Sequence, residues 1–211
     1  MPSNQANDAS ITAVLGASGS GKGLWVKHHL LRPKPDMLLI WDLMRESEYA
    51  KICTTATTNS LKIVANACKK PRFWVNYLPN LAGDIEAQFA MFCRIANAVP
   101  NITVVVEELS YVTKAGWSPP NWREMCVTGR HRGMKIIGVS QRPTSVDKDF
   151  FSQCTTIHAG RLNTMADRKR LSDMLCVPIA QVAELKPLDW IERNMATGET
   201  TAGRVKIPAQ R

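Results

Sequence analysis

The feature that most constrains this chain is a glycine-rich heptapeptide at residues 16–22, which reads Gly-Ala-Ser-Gly-Ser-Gly-Lys. An apolar run at 11–15 precedes it, and a helix-like run at 24–31 follows it. A strand, a G-x-x-x-x-G-K loop and a helix form the arrangement of a phosphate-binding P-loop. The glycines let successive N–H groups point into one concavity at a helix N-terminus, where an anion is stabilised. The pattern predicts an α/β fold with a phosphate site at this loop.

The end of the loop departs from the motif at one position. Lys22 is expected to place its ammonium against the outer phosphates of a nucleotide. Gly23 stands where the motif has Ser or Thr, whose hydroxyl binds Mg²⁺. Metal binding is therefore expected to depend on other groups, with Ser20 or water replacing that hydroxyl. The predicted nucleotide-binding residues are Gly16, Ala17, Ser18, Gly19, Ser20, Gly21, Lys22, Gly23 and Leu24.

Length and composition indicate a single domain. The chain has 211 residues, of which 45% are hydrophobic, which suits one α/β domain with a sizeable core. We expect this domain over 11–206, between flexible tails at 1–10 and 207–211. The N-terminus lacks the basic and apolar regions of a signal peptide, and we find no apolar run long enough for a transmembrane helix. These features favour a cytoplasmic location.

Cysteines and charge bear on the possible partners. The six cysteines form no C-x-x-C pair, which favours reduced, buried thiols and argues against a metal cluster. The formal net charge of +9 favours a polyanionic partner such as nucleic acid.

Apolar runs separated by helical patterns predict a mostly parallel central sheet flanked by helices, followed by a C-terminal β-hairpin. Residues 43–60 are polar and rich in threonine, and their pattern gives no assignment. The predicted strands are 11–15, 37–41, 72–78, 102–106, 134–140 and 154–158, the helices 22–31, 83–98, 118–130, 164–175 and 178–185, and the hairpin strands 189–194 and 202–206.

Two acids and an amide follow neighbouring apolar runs. Glu107 and Glu108 end the most β-branched run, and Gln141 ends the next. Ligands of open α/β sheets bind at the carboxyl ends of the strands, beside the P-loop. One acid there can hold Mg²⁺, directly or through water, and the other can accept a proton from an attacking water. Gln141 is expected to orient that water or to sense the γ-phosphate.

Two arginines flank His131 just before the run that ends at Gln141. One reading of Arg130 and Arg132 is that they are cations at a helix C-terminus. The other is that one of them is an arginine finger, a charged fork aimed at the γ-phosphate of a neighbouring subunit. The sequence does not choose between the two arginines.

The strand-end acids in 102–108 and the run at 129–143, Gly-Arg-His-Arg-Gly-Met-Lys-Ile-Ile-Gly-Val-Ser-Gln-Arg-Pro, resemble the FtsK–HerA superfamily of P-loop ATPases. The small size is similar to the branch that packages the genomes of tailless icosahedral double-stranded DNA viruses. The resemblance covers about 11–206 and is weakest over 43–80. It implies a RecA-like sheet and a ring, usually a hexamer with a pentamer as the alternative, that moves double-stranded DNA with ATP and Mg²⁺. It also implies capsid or portal-vertex partners, in the host cytoplasm or at the packaging vertex of the virion.

The resemblance also implies a role for each site residue. Lys22 binds phosphate, Glu107 takes the Walker B aspartate position and holds Mg²⁺, and Glu108 is the catalytic glutamate. Gln141 is the strand-end sensor, and Arg130 or Arg132 is the finger supplied in trans. The family has Ser or Thr at position 23 and Asp at position 107, so this chain departs from it at both metal positions.

Other functions are compatible with the same motifs. A filamentous-phage-type assembly ATPase belongs to a second branch of the family, whose members carry a membrane anchor. A small P-loop kinase fits less well, because the acidic pair and Gln141 suit activation of water. Gly23 motivates a non-catalytic, nucleotide-gated DNA-binding scaffold. A GTPase is disfavoured because the chain has no N-K-x-D motif.

Overall fold

The computed structural model describes residues 9–31 and 34–206, which form a nine-stranded sheet in the order β3-β4-β2-β5-β6-β1-β7-β8-β9. The first seven strands of this order are parallel, and β8 and β9 continue the sheet in antiparallel pairing. The strands are β1 Ser10–Leu15, β2 Met37–Trp41, β3 Ala56–Thr58, β4 Phe73–Tyr77, β5 Thr103–Val106, β6 Lys135–Ser140, β7 Thr156–Gly160, β8 Asp189–Asn194 and β9 Thr200–Arg204.

Within residues 9–31 and 34–206, eight α-helices connect the strands. Helix α1 continues beyond Trp25 in π-helical hydrogen bonding over Val26–Leu30. Short 3₁₀ turns follow β5, α5 and β6, at Leu109–Tyr111, Gly129–Arg132 and Pro143–Ser145. The helices are α1 Lys22–Trp25, α2 Ser47–Ile52, α3 Leu61–Ala67, α4 Ile85–Asn97, α5 Pro120–Thr128, α6 Lys148–Gln153, α7 Met165–Leu175 and α8 Ile179–Ala183.

Each face of the sheet has its own hydrophobic core, because alternate strand residues point to opposite faces. In β2, Leu39 and Trp41 belong to one core, whereas Leu38 and Ile40 belong to the other. The first core also contains buried side chains of α3, α4, α5 and α7, and the second contains Trp25, Val26 and Tyr49 from α1, its π-helical continuation and α2. Burial on both faces explains why the inner strands are continuously apolar.

The predicted mostly parallel sheet with flanking helices is confirmed, and so is the C-terminal hairpin. The Thr164 hydroxyl caps α7 by accepting from the Asp167 N–H, as the T-x-x-D pattern predicts. The strand predicted at 154–158 lies two residues later, because Cys154 ends the turn after α6. The predicted tails fall on 1–8 and 207–211, and the proline break of the first helix falls on 32–33, all outside the described residues.

The polar segment without an assignment contains α2 and the edge strand β3, and α3 follows it. These elements are short and largely exposed, so their sequence carries only a weak apolar period. Four of the six cysteines are buried as free thiols, whereas Cys68 is half-buried and Cys176 is exposed.

Candidate nucleotide-binding site

The P-loop turns through glycines with positive φ. Gly16, Gly19 and Gly21 have φ of 152°, 73° and 99°, a region that side chains disfavour. A Cβ at Gly16 would lie 2.5 Å from Oγ of Ser20, so the loop has no room for a side chain there. The loop is anchored by two backbone bonds, from Gly16 N–H to Ser140 O at 3.1 Å and from Ala17 N–H to Arg161 O at 2.7 Å. The loop backbone thus forms a compact concavity at the start of α1.

Lys22 is folded back over this loop. Its ammonium donates to the carbonyl of Ala17 at 3.0 Å. Burial lowers the pKa of Lys22, and the negative charges of Glu108, Glu107 and Glu46 partly offset this by raising it. The ammonium thus lies in a partly buried, acid-rich setting in which a phosphate is able to replace the carbonyl as its partner.

The strand order brings the predicted acids and amide to the same edge of the sheet. Strand β6 lies between β1, which leads into the P-loop, and β5, which leads into Glu107 and Glu108. Gln141, directly after β6, therefore stands between the loop and the acids. All three side chains line one cavity together with Lys22.

Glu107 is buried against the hydroxyl of Tyr49 in α2, which donates a hydrogen bond to its Oε1. Only 5% of Glu107 is exposed. Burial raises the pKa of Glu107 to about 7, and the Tyr49 hydrogen bond acts in the opposite direction. Tyr49 comes from the segment that had no assignment, so no pattern in the sequence pointed to it.

Glu108 is held in an unusual backbone conformation. Its φ of 51° and ψ of 51° lie in the left-handed region, which is uncommon for a residue with a side chain. Its Oε1 accepts from Nε2 of Gln141 at 2.5 Å, and its carbonyl accepts from the Tyr111 N–H at 2.8 Å. Backbone strain of this kind concentrates at functional sites.

The shared cavity has a volume of about 660 Å³. One wall comes from the C-terminal part of the chain, where Leu188 precedes β8 with a φ of 71°. A Cβ at Gly21 would lie 3.2 Å from Leu188 Cδ2 and 3.2 Å from Val205 Cγ2. Leu188 and Val205, at the two ends of the hairpin, thus lie against the P-loop, and Leu188 closes one side of the cavity.

The wall next to Gly23 contains an ion-pair cluster that the sequence did not indicate. Lys27 lies one helical turn after Gly23, and its ammonium is 2.8 Å from Oε2 of Glu46. The same ammonium also pairs with Glu48. The i to i+4 spacing of Gly23 and Lys27 is visible in the sequence, but Glu46 and Glu48 lie in the unassigned segment.

The cavity's donor set fits Mg²⁺. Two lysines and four glutamates line it, so acidic side chains outnumber basic ones. Carboxylate and hydroxyl oxygens are the ligands that Mg²⁺ prefers. Ser20 lines the cavity with only 3% exposure, and its Oγ has no hydrogen-bond partner among the described residues. Glu107 and Glu108, directly after β5, bring two of these carboxylates to the P-loop.

Asp42, the other strand-end acid, has a structural role. It is fully buried, accepting from Asn76 Nδ2 at 2.9 Å and from the Glu46 N–H at 3.1 Å. It fixes the turn between β2 and α2.

The two arginines lie at the other edge of the sheet. They belong to the 3₁₀ turn before β6, so the six residues of β6, about 20 Å long at 3.3 Å per residue, separate them from Gln141. Arg130 is exposed, and Arg132 donates to Asn97 Oδ1 at 3.2 Å. The structure therefore does not bring either arginine to the cavity of its own subunit.

No family model matches the chain. Protein P9 of Pseudoalteromonas phage PM2 is 25% identical over 177 residues, which cover 82% of this chain and 78% of that protein. The genome packaging NTPase B204 of Sulfolobus turreted icosahedral virus 2, solved with AMPPCP, superposes with a TM-score of 0.78 at 17% identity, over 95% of this chain and 100% of that one. The N-terminal domain of the zonular occludens toxin of Neisseria meningitidis superposes with a TM-score of 0.54 at 15% identity, over 95% of both chains. The chain thus has a RecA-like P-loop ATPase fold similar to that of the viral packaging NTPase, and the resemblance inferred from its motifs is confirmed.

Proposed function

We propose that this protein is an ATP-hydrolysing motor that moves double-stranded DNA, in the packaging of a viral genome into a preformed capsid. The observation that carries the proposal is the convergence of the P-loop, Glu107, Glu108 and Gln141 on one cavity. The fold around that cavity is similar to that of the packaging NTPase B204 over nearly the whole chain.

The chemistry follows from the positions of these groups. The P-loop N–H groups and Lys22 bind the phosphates, and Glu107 would hold Mg²⁺, which neutralises charge that develops on the phosphoryl oxygens. Glu108 accepts a proton from the attacking water, and Gln141 orients Glu108 through their hydrogen bond. A group that activates water suits hydrolysis better than transfer of the phosphoryl group to a metabolite, so the hypothesis of a small P-loop kinase is disfavoured.

The proposed partners follow from charge and from the fold. A net charge of +9 suits the phosphates of double-stranded DNA. A homo-oligomeric ring, with a hexamer favoured over a pentamer, would dock on capsid or portal-vertex proteins. Within the described part of the chain, no helix has the length and apolar character to cross a bilayer.

A filamentous-phage-type assembly ATPase is the second candidate, because the motifs at 102–108 and 129–143 resemble the wider superfamily to which that branch belongs. The non-catalytic scaffold is the third, since Gly23 removes the usual metal-binding hydroxyl.

The test is the steady-state rate of phosphate release with and without double-stranded DNA. We expect hydrolysis that rises when duplex DNA is added. Lys22→Ala is the control, which should lose both nucleotide binding and hydrolysis because the outer phosphates lose their cation. Nucleotide binding without turnover would support the scaffold, and turnover indifferent to DNA would oppose the motor.

A further inference from the structure

Gly23 is not required by the backbone. It is absent from the glycines with positive φ, and a Cβ built on it meets its nearest neighbours at ordinary van der Waals distances. Serine or threonine would therefore fit at position 23. The space that the missing side chain leaves is instead approached by two charged groups.

The first of these groups is the ammonium of Lys27. Side chains in a helix lean toward its N-terminus, so a residue at i+4 lies over residue i. Lys27 Nζ lies 3.6 Å from the position of a Cβ on Gly23. Its side chain is only 12% exposed, so the ammonium is committed to this wall of the cavity.

The second group is the carboxylate of Glu46. Its Oε2 lies 3.8 Å from the same Cβ position, near the region that a serine hydroxyl at position 23 would reach. Lys27 binds Oε2 of this carboxylate at 2.8 Å, and buried Asp42 holds the backbone of Glu46 by accepting from its N–H at 3.1 Å. A carboxylate oxygen thus lies beside the position where the P-loop motif has its hydroxyl.

We propose that the Glu46 carboxylate, positioned by Lys27, supplies the protein oxygen that faces the nucleotide's Mg²⁺ in place of the hydroxyl absent at Gly23. The inference rests on the proposed function, because Mg²⁺ and nucleotide must share this cavity. The buried, unpartnered Oγ of Ser20 on the same cavity is an independent sign that a polar ligand belongs there. Glu46 and Glu107 would then both contribute carboxylate oxygens to hold the metal.

The experiment measures how tightly the full-length protein binds a fluorescent, non-hydrolysable ATP analogue, once with saturating Mg²⁺ and once with EDTA. For Glu46→Gln we expect the affinity for the analogue in the presence of Mg²⁺ to fall about tenfold or more. Losses of this size follow when a group that supports a metal ligand is removed. Affinity in EDTA should not fall, because the variant removes a negative charge from an anion site. The decisive variant is Gly23→Ser in the Glu46→Gln background, which should restore most of the affinity in Mg²⁺.

Glu48→Gln is the matched control, because it removes the other carboxylate paired with Lys27 but leaves Glu46 in place. It should weaken binding in Mg²⁺ much less than Glu46→Gln does. Equal losses of affinity in the presence of Mg²⁺ and of EDTA would overturn the inference. So would a double variant that unfolds at the wild-type temperature but in which Gly23→Ser restores no affinity. If the wild-type protein binds no nucleotide under either condition, the proposed function itself fails.

Discussion

Gln141 donates a hydrogen bond from Nε2 to Oε1 of Glu108 and so ties the end of β6 to the end of β5. Glu108 is at the same time fixed in a left-handed backbone conformation. The amide and the carboxylate therefore form a rigid pair at the cavity wall. A change in the position of one strand end is transmitted directly to the proposed base.

The first prediction concerns this pair. Glu108→Gln keeps the size of the side chain but removes the proton acceptor, so turnover should fall by roughly 10²-fold or more while nucleotide affinity is retained. Gln141→Leu should lower turnover less, because Glu108 keeps its chemistry and loses only its orientation. The measurements are the rate of phosphate release and the affinity for an ATP analogue. If Glu107→Gln abolishes turnover and Glu108→Gln is mild, the roles of the two acids are exchanged.

The second prediction is a pH dependence of stability that Glu107 causes. Burial raises the pKa of Glu107 from the ordinary 4.5 to about 7, so the folded protein binds this proton more tightly than the unfolded chain. Its contribution to the free energy of unfolding is fully present below about pH 4.5 and is lost as the pH rises through about 7. Urea unfolding of the ligand-free protein between pH 4 and 8 should show this loss.

Two variants isolate the effect of Glu107 from that of other acids. Glu107→Gln should reduce the change of the unfolding free energy across this pH range. The hydrogen bond from Tyr49 lowers the pKa of Glu107, so Tyr49→Phe should move the loss toward higher pH. A Tyr49→Phe profile that moves toward lower pH would contradict this account.

The third prediction concerns DNA. A net charge of +9 allows the protein to contact phosphates regardless of sequence, so affinity should be similar for unrelated duplexes and should fall steeply with salt. The measurement is fluorescence anisotropy with two unrelated duplexes over a salt series. An affinity that does not change with salt, or a strong preference for one of the two duplexes, would count against a motor that travels along DNA.

The sequence predicted the inner strands because they are buried on both faces and read as continuous apolar runs. It predicted the P-loop and the positions of Glu107, Glu108 and Gln141 because parallel strands end at a common edge of the sheet. It did not reveal α2, whose Tyr49 contacts Glu107 and whose flanking Glu46 lines the cavity, both through tertiary structure. The polar character of the segment at 43–60 gives no periodic signal, so these two residues could be assigned only from the structure.

The last prediction concerns the source of the finger. The cavity contains Lys22 and Lys27 but no arginine among the described residues that line it, so an arginine from another subunit would supply the charge that hydrolysis needs. Arg130 and Arg132 lie a strand's length from their own cavity, so they would act only on a neighbour's nucleotide. An arginine supplied in trans contributes about 10³–10⁵ in rate. Arg130→Ala or Arg132→Ala should therefore bind ATP normally but hydrolyse it poorly.

Arg72→Ala is the control for this prediction, because Arg72 is exposed and precedes β4, so it lies at the same edge of the sheet but on a different strand. Mixing the deficient arginine variant with Lys22→Ala subunits should recover part of the activity, since some interfaces would pair an intact loop with an intact arginine. Size-exclusion chromatography with light scattering would show that mixed rings form. If mixed rings form without recovering activity, or if neither arginine variant loses turnover, the prediction of a finger supplied in trans by Arg130 or Arg132 is wrong.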